Sequence, residues 1–230
     1  MQESLNDTTV LVVAAHPDDA EFGCGGTVAR WARAGARVVF LLGTSGDKGS
    51  HDPAVHPMEL ALRREAEQRE AARRLGVAEV IFLRRLDGEL EVTLAFRQQI
   101  ALVIRQVQPQ IVVTHDPWRL YQLHPDHRAI GLTTCDAIIA AREHLIFPEQ
   151  LRHGLSHHRP RELYLFTTDH PNVWVDIADT IELKIAALQA HVSQVGHLAD
   201  LAERVRNRAR QMGESPGLAF AEEFHRITLS

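Results

Sequence analysis

Two short clusters of histidine and aspartate are the parts of this sequence best suited to chemistry. The first is His16-Pro17-Asp18-Asp19 and the second is His124-Pro125-Asp126-His127. Imidazole nitrogens and carboxylate oxygens bind Zn²⁺, and a catalytic zinc site has three such ligands and one open position. His16 and Asp19, together with one histidine of the second cluster, would supply such a set. The spacing therefore indicates a catalytic metal site.

Asp18 is the candidate general base of this site. It adjoins a candidate ligand, so its carboxylate is expected to point elsewhere while staying within reach of a metal-bound water. A bound Zn²⁺ lowers the pKa of its water toward about 7, and a carboxylate can take the proton as the water attacks a carbonyl. The histidine of the second cluster that does not bind metal can protonate a leaving amine or stabilise an oxyanion. Asp126 is a candidate to orient that ring.

The first cluster directly follows the short apolar run Val10 to Ala15, and the second comes in the loop that follows the run Gln110 to Thr114. Strands that are apolar on both faces belong to parallel sheets covered by helices, where ligands bind beyond the carboxyl ends of the strands. Further apolar runs, which alternate with helical stretches, lie at 37–42, 79–83 and 162–167. This alternation predicts an α/β fold with a Rossmann-like, mostly parallel sheet, helices on both faces and one domain over residues 1–230.

The composition is that of an ordinary globular enzyme, with 45% hydrophobic and 24% charged residues. The net charge of -5 gives no support for nucleic-acid binding. No apolar stretch is long enough to cross a membrane, and the polar start MQESLNDTT does not resemble a signal peptide. Two cysteines indicate no disulfide framework. We therefore expect a cytoplasmic protein with no membrane or nucleic-acid partner.

The two clusters resemble the metal motifs of the LmbE-like (PIG-L) zinc-dependent N-deacetylases. The segment AAHPDDAEFGCGGT, residues 14–27, is similar to their AHPDDxExxxGGT signature, and LHPDHR, residues 123–128, is similar to their second motif. The resemblance covers nearly the whole chain. It includes Arg64-x-x-Glu67, Asp87-Gly88, His191-x-Ser193-Gln194 and the closing AFAEEFHR.

The resemblance implies a Rossmann-like metalloenzyme that removes the N-acetyl group from a small-molecule conjugate of N-acetylglucosamine. The roles that it implies are metal binding for His16, Asp19 and His127, and substrate contact for Arg64 and Asp87. Among the catalytic residues, Asp18 would be the general base and His124 the electrostatic catalyst or acid, supported by Asp126. In this interpretation Asp126 is the partner of His124. The implied ion is Zn²⁺, although Fe²⁺ suits two nitrogens and one oxygen equally well.

Several alternatives stay open at this stage. An amidase of a related thiol or sugar conjugate would keep the metal and change the bond, and a non-catalytic sugar-binding protein would keep only the metal. A dinucleotide site at Gly23 to Gly26 is disfavoured, because HPDD occupies the turn where its glycines belong. The loop from Gly43 to Pro57 matches no substrate-specific pattern, and Ala20 replaces an acidic residue of many relatives. The sequence also leaves open whether the protein forms a homo-oligomer.

Overall fold

The computed structural model describes residues 5–229, which form a mixed sheet flanked by helices. The strands are β1 (Thr9–Ala14), β2 (Arg37–Thr44), β3 (Glu79–Arg85), β4 (Ile111–His115), β5 (Glu162–Phe166), β6 (Val173–Asp176) and β7 (Ala221–Thr228). The helices are α1 (Asp19–Arg33), α2 (Pro57–Leu75), α3 (Leu94–Val107), α4 (Pro125–Arg142), α5 (Pro148–Arg152), α6 (Ile181–Leu188), α7 (Val192–Val195) and α8 (Leu201–Glu214).

The strand order is β3-β2-β1-β4-β5-β7-β6. Strands β1 to β5 run parallel, whereas β7 is antiparallel to both of its neighbours, β5 and β6. The predicted mostly parallel α/β sheet is therefore confirmed. The chain order reverses between β1 and β4, and the carboxyl ends of strands at such a switch point are where this fold binds ligands.

The residues of β1 show how the sheet is covered on both faces. Val10 and Val12 belong to one core with Val28 of α1, and residues of α2 complete it. Leu11 and Val13 point the other way, into a core formed with α3 and α4. All four side chains of β1 are fully buried, and burying each contributes about 1.5–3 kcal/mol. Burial on both faces explains the unbroken apolar run.

Helix α2 differs from the solvated helix that its many charges suggest. It begins at Pro57, where the His56 side chain accepts the amide N–H of Met58, and it ends at Gly76 in a left-handed conformation. Its inner face nevertheless buries Arg64, as well as Glu65 and Gln68. Buried polar groups require partners, and each of these three side chains has at least one in the loop that follows β1 or the loop that follows β2.

Glu65 is expected to make the stability of the protein sensitive to acid. Its carboxylate accepts from Arg84 Nε at 2.8 Å, Ser45 Oγ at 2.7 Å and Arg69 Nη2 at 2.9 Å. The hydrogen bonds from Arg84, followed by those from Ser45 and Arg69, lower the pKa of Glu65 from 4.5 to about 2 although burial opposes the shift. The stabilisation is therefore complete above pH 4.5 and is lost as the pH falls toward 2.

The substitution Glu65→Gln is expected to remove this dependence. Because Arg84 and Arg69 are largely solvent-exposed, screening limits the loss at pH 7 to about 1–2 kcal/mol. Urea unfolding of wild type and variant at pH 7, 4 and 3 measures the difference. The two free energies of unfolding should converge as the pH falls, and a constant difference would contradict the assignment.

Candidate active site

The two sequence clusters meet because β1 and β4 are neighbouring parallel strands. Val13 of β1 is in register with Thr114 of β4, so the loops that follow the two strands leave the sheet side by side. The first loop carries residues 16–18 and leads into α1 at Asp19, while the second leads into α4 at Pro125. The site therefore lies at the switch point of the sheet.

The carboxylate of Asp19 lies between the other two predicted metal ligands, His16 and His127. Its Oδ2 lies 3.1 Å from His16 Nδ1, and its Oδ1 lies 3.2 Å from His127 Nε2. Ligand atoms around a tetrahedral Zn²⁺ are about 3.3–3.4 Å apart, given metal–ligand distances of about 2.0–2.1 Å. These two separations are close to that spacing, so the two nitrogens and the carboxylate could hold a metal ion.

A further histidine, His115, lies at the same carboxylate and was not among the predicted site residues. Its Nε2 is 3.3 Å from Asp19 Oδ2, and its ring stacks on that of His127 with centroids 4.2 Å apart. Within residues 5–229 this buried nitrogen has no hydrogen-bond partner of good geometry. Its position at the end of an apolar strand, beside the switch point, was the signal in the sequence.

Histidine nitrogens surround the carboxylate closely. The ligand atoms of His16, His124 and His127 lie within 4.8 Å of one another, as do those of Asp19, His115 and His127. Burial alone would raise the pKa of Asp19, but His115 and His16 hold it well below its usual range. Asp19 is therefore ionised, as a metal ligand must be.

Two carboxylates hold the other side of the His16 ring. Its Nε2 lies 3.0 Å from Asp126 Oδ2 and 3.1 Å from Asp87 Oδ1. Burial opposes protonation, yet Asp19, followed by Asp126 and the other carboxylate, raises the pKa of His16 to about 12. Metal-binding histidines commonly have such a carboxylate on the second nitrogen.

Asp126 differs from the expectation that it partners His124. Its carboxylate is fully buried and accepts the amide N–H groups of Gly88 at 2.7 Å and Leu90 at 3.1 Å. These bonds direct it toward His16. The hydrogen bond between His124 and Asp126 is to the backbone, because His124 Nδ1 accepts that amide N–H at 3.3 Å and caps α4.

Asp18 has an unusual backbone conformation. Its φ is 97°, in the left-handed region, and its side chain forms no cap hydrogen bond to α1 within the described residues. The carboxylate instead lies 3.4 Å from Arg64 Nη2. Burial, and then the charge of Asp19, raise the pKa of Asp18 to about 7. These features fit a general base better than a helix cap.

Arg64 and Asp87, the predicted substrate contacts, lie at the wall of the site. The buried Arg64 donates to Pro17 O at 2.7 Å and Gly46 O at 3.1 Å, so it fastens the first loop to the loop after β2. Its Nη1 is 4.0 Å from Asp87 Oδ2. Their contact with substrate stays a prediction. His124 is exposed and stacks on His127 with ring centroids 4.5 Å apart, so it faces the opening.

The sequence of this chain is similar to those of known proteins. The profile of the family described as PIG-L: GlcNAc-PI de-N-acetylase matches residues 11–138. A diacetylchitobiose deacetylase of Thermococcus kodakarensis is 39% identical over 195 residues, which is 84% of this chain and 73% of that protein. A probable N-acetyl-alpha-D-glucosaminyl L-malate deacetylase 2 of Bacillus cereus is 28% identical, with 86% of this chain and 90% of that protein covered.

The structural similarity extends over the whole described chain. The crystal structure of N,N'-diacetylchitobiose deacetylase from Pyrococcus horikoshii superposes with a TM-score of 0.91 at 32% identity, and the match covers 99% of this chain and 86% of that one.

No helix within residues 5–229 has the length and apolar character needed to cross a membrane.

Proposed function

Since this chain belongs to the PIG-L family, we propose that it is a metal-dependent hydrolase that removes the N-acetyl group from an N-acetylglucosamine conjugate. The observation that carries the proposal is the Asp19 carboxylate, whose oxygens lie within 3.3 Å of three imidazole nitrogens. The neighbouring Asp18 points away from this cluster toward Arg64. A metal ligand and a general base would thus stand side by side.

The metal would be held by His16, Asp19 and His127. The two nitrogens and one oxygen support Zn²⁺, with Fe²⁺ as the alternative ion. When bound, such an ion polarises a carbonyl and lowers the pKa of a water molecule to about 7. His115 would support the site from behind, because its Nε2 lies at the same Asp19 oxygen as His16 Nδ1.

Asp18 would move the proton and His124 would stabilise charge. Asp18, with a pKa of about 7, would accept the proton of the attacking water at its carboxylate and would then pass it to the departing nitrogen. Because the Nδ1 of His124 accepts the amide N–H of Asp126, the neutral ring carries its proton on Nε2. That N–H can donate a hydrogen bond to the oxyanion.

The loop before His124 supports a conjugate rather than a lone sugar. Trp118, Leu120 and Tyr121 each expose more than 60% of their surface there, and Leu123 is exposed as well. The loop is fastened by the amide of Trp118 to Asp116 at 2.9 Å. Contiguous exposed apolar groups beside a site commonly bind a ligand, and aromatic side chains suit the apolar face of a second ring.

Acetate release tests the proposal directly. The metal-free protein, reloaded with Zn²⁺ or Fe²⁺, is incubated with N-acetylglucosamine, diacetylchitobiose, and the inositol and malate conjugates. We expect one acetate for each free amine formed, with conjugates preferred over the monosaccharide and with activity lost to a chelator.

Each alternative gives a different result in the same assay. A conjugate with a larger N-acyl group is added to the panel for this purpose, and release of a free amine from it, with no acetate from the N-acetyl substrates, would indicate an amidase. Saturable sugar binding by the fully metal-loaded protein with no acetate from any substrate would indicate a sugar-binding protein without catalysis.

A further inference from the structure

A buried network of three polar side chains, Gln68, Glu21 and His191, lies behind Asp18 and takes no part in the chemistry described above. Gln68 Oε1 accepts the amide N–H of Asp18 at 3.1 Å, and Gln68 Nε2 donates to Glu21 Oε1 at 2.6 Å. His191 Nε2 lies 3.5 Å from Glu21 Oε2. Gln68, Glu21 and His191 are all 0% exposed. The network thus joins α2, α1 and the residue before α7 beneath the first loop.

This buried network reduces the stability of the folded protein. Among the described residues, Glu21 Oε2 and both ring nitrogens of His191 have no hydrogen-bond partner of good geometry. Buried polar groups without full pairing destabilise a protein. Apolar side chains at these positions would give a more stable protein, so the network is better explained by what it does for Asp18.

Asp18 requires external support. A non-glycine residue at φ 97° is strained, and such strain persists only where the surroundings impose it. Its carbonyl accepts the amide N–H of Phe22 at 3.0 Å in the first turn of α1. Its own N–H is held by Gln68. These two bonds fix the backbone on both sides of the Asp18 carboxylate and so set its direction.

Glu21 determines which end of the Gln68 amide faces Asp18. An ionised carboxylate only accepts hydrogen bonds, whereas an amide group both accepts and donates. The Gln68 nitrogen must therefore face Glu21, which leaves its oxygen for the Asp18 N–H. A reversed amide would set two acceptors together on one side and two donors on the other.

We infer that Gln68 and Glu21 are positioning residues that hold the general base Asp18 in its working orientation, with His191 packed behind Glu21. The inference rests on the proposed function for its kinetic readout. It assigns a task to the acidic residue that follows HPDD in the first motif and to the histidine of His191-x-Ser193-Gln194.

An exchange of amide and carboxylate tests this inference. Gln68→Glu sets two acceptors against each other, and we expect kcat to fall about 10–100-fold because a small misplacement of a catalytic group costs up to that much. KM and bound metal should stay at wild-type values. The double variant Gln68→Glu/Glu21→Gln restores one donor and one acceptor in mirror order, still accepts the Asp18 N–H, and should recover most of kcat.

A matched control is available in the same protein. Gln98 Nε2 donates to Glu149 Oε1, also at 2.6 Å, on the opposite face of the sheet. Gln98→Glu sets two carboxylates together in this half-buried pair away from the site, and kcat should not change. Should Gln68→Glu fail to fold, Gln68→Met has similar length without charge or hydrogen bonds and should show the same loss of kcat.

Amide hydrogen exchange at Asp18 gives a second readout that needs no catalysis. Exchange should be faster in Gln68→Glu and Gln68→Met and return toward wild type in the double variant. Folded, metal-loaded variants with wild-type kcat, or a double variant without recovery, would overturn the inference. If wild type releases no acetate from any substrate, the proposed function fails, whereas the exchange rates still decide the role of Gln68.

Discussion

Asp18→Asn is expected to reduce kcat for acetate release about 10²–10⁴-fold, the usual contribution of a general base, with bound metal unchanged. Asparagine has the same shape and tolerates a left-handed backbone, so the φ of 97° should persist. The amide cannot accept the proton of the attacking water. The Asp18 carboxylate lies against Arg64 and not in the cluster around Asp19, which is why metal binding should survive.

The measurement pairs single-turnover and steady-state kinetics with elemental analysis of the same samples. Asp18→Ala serves as a second variant, and it should show the same loss of kcat with an added loss of stability, because alanine is less favourable at positive φ. Wild-type kcat in fully folded Asp18→Asn would remove Asp18 from its proposed role. Loss of metal together with activity would make it a ligand.

Asp19→Ala is expected to lower metal affinity by more than about 100-fold, since even residues that only support metal ligands contribute 10–100-fold. The Asp19 carboxylate lies within 3.3 Å of nitrogens of His16, His115 and His127. Its removal leaves these imidazoles without the anion that spaces them. Acetate release should fall to the level of the metal-free protein and recover partly at high Zn²⁺ concentration.

Metal content after dialysis and competition with a chelator of known affinity measure this effect. Asp200→Ala is a suitable control, because Asp200 is an exposed carboxylate paired only with Arg204, at 2.9 Å, in the described chain. Its metal content should equal that of wild type. An Asp19→Ala protein that keeps stoichiometric metal under the same dialysis would contradict the proposed ligand set.

The sequence predicted the fold because its strongest signals are local. The run Val10 to Ala15 is apolar since both faces of β1 are covered, and the polar groups that follow it mark the carboxyl end of a strand. Two such ends, after β1 and β4, lie together only in a parallel sheet. The spacing of histidine and aspartate therefore carried the main features of the site.

What the sequence could not predict depends on the direction of individual side chains. The partner of Asp126 is set by the amides of Gly88 and Leu90, which lie on another loop. The proximity of His115 to Asp19 depends on the register between β1 and β4. Nothing in the sequence indicates that Arg64 is buried, because an arginine on a charged helix is usually solvated.

The insertion of β7 between β5 and β6 has a consequence for biosynthesis. Strands β1 to β5 precede it in the chain and carry the candidate metal site, so that part of the sheet can assemble while translation continues. Until Ala221–Thr228 leaves the ribosome, however, the outer edge of β5 is open, and β6 lacks the strand with which it pairs. Open strand edges promote aggregation. The nascent chain is therefore most vulnerable after the proposed catalytic groups are in place.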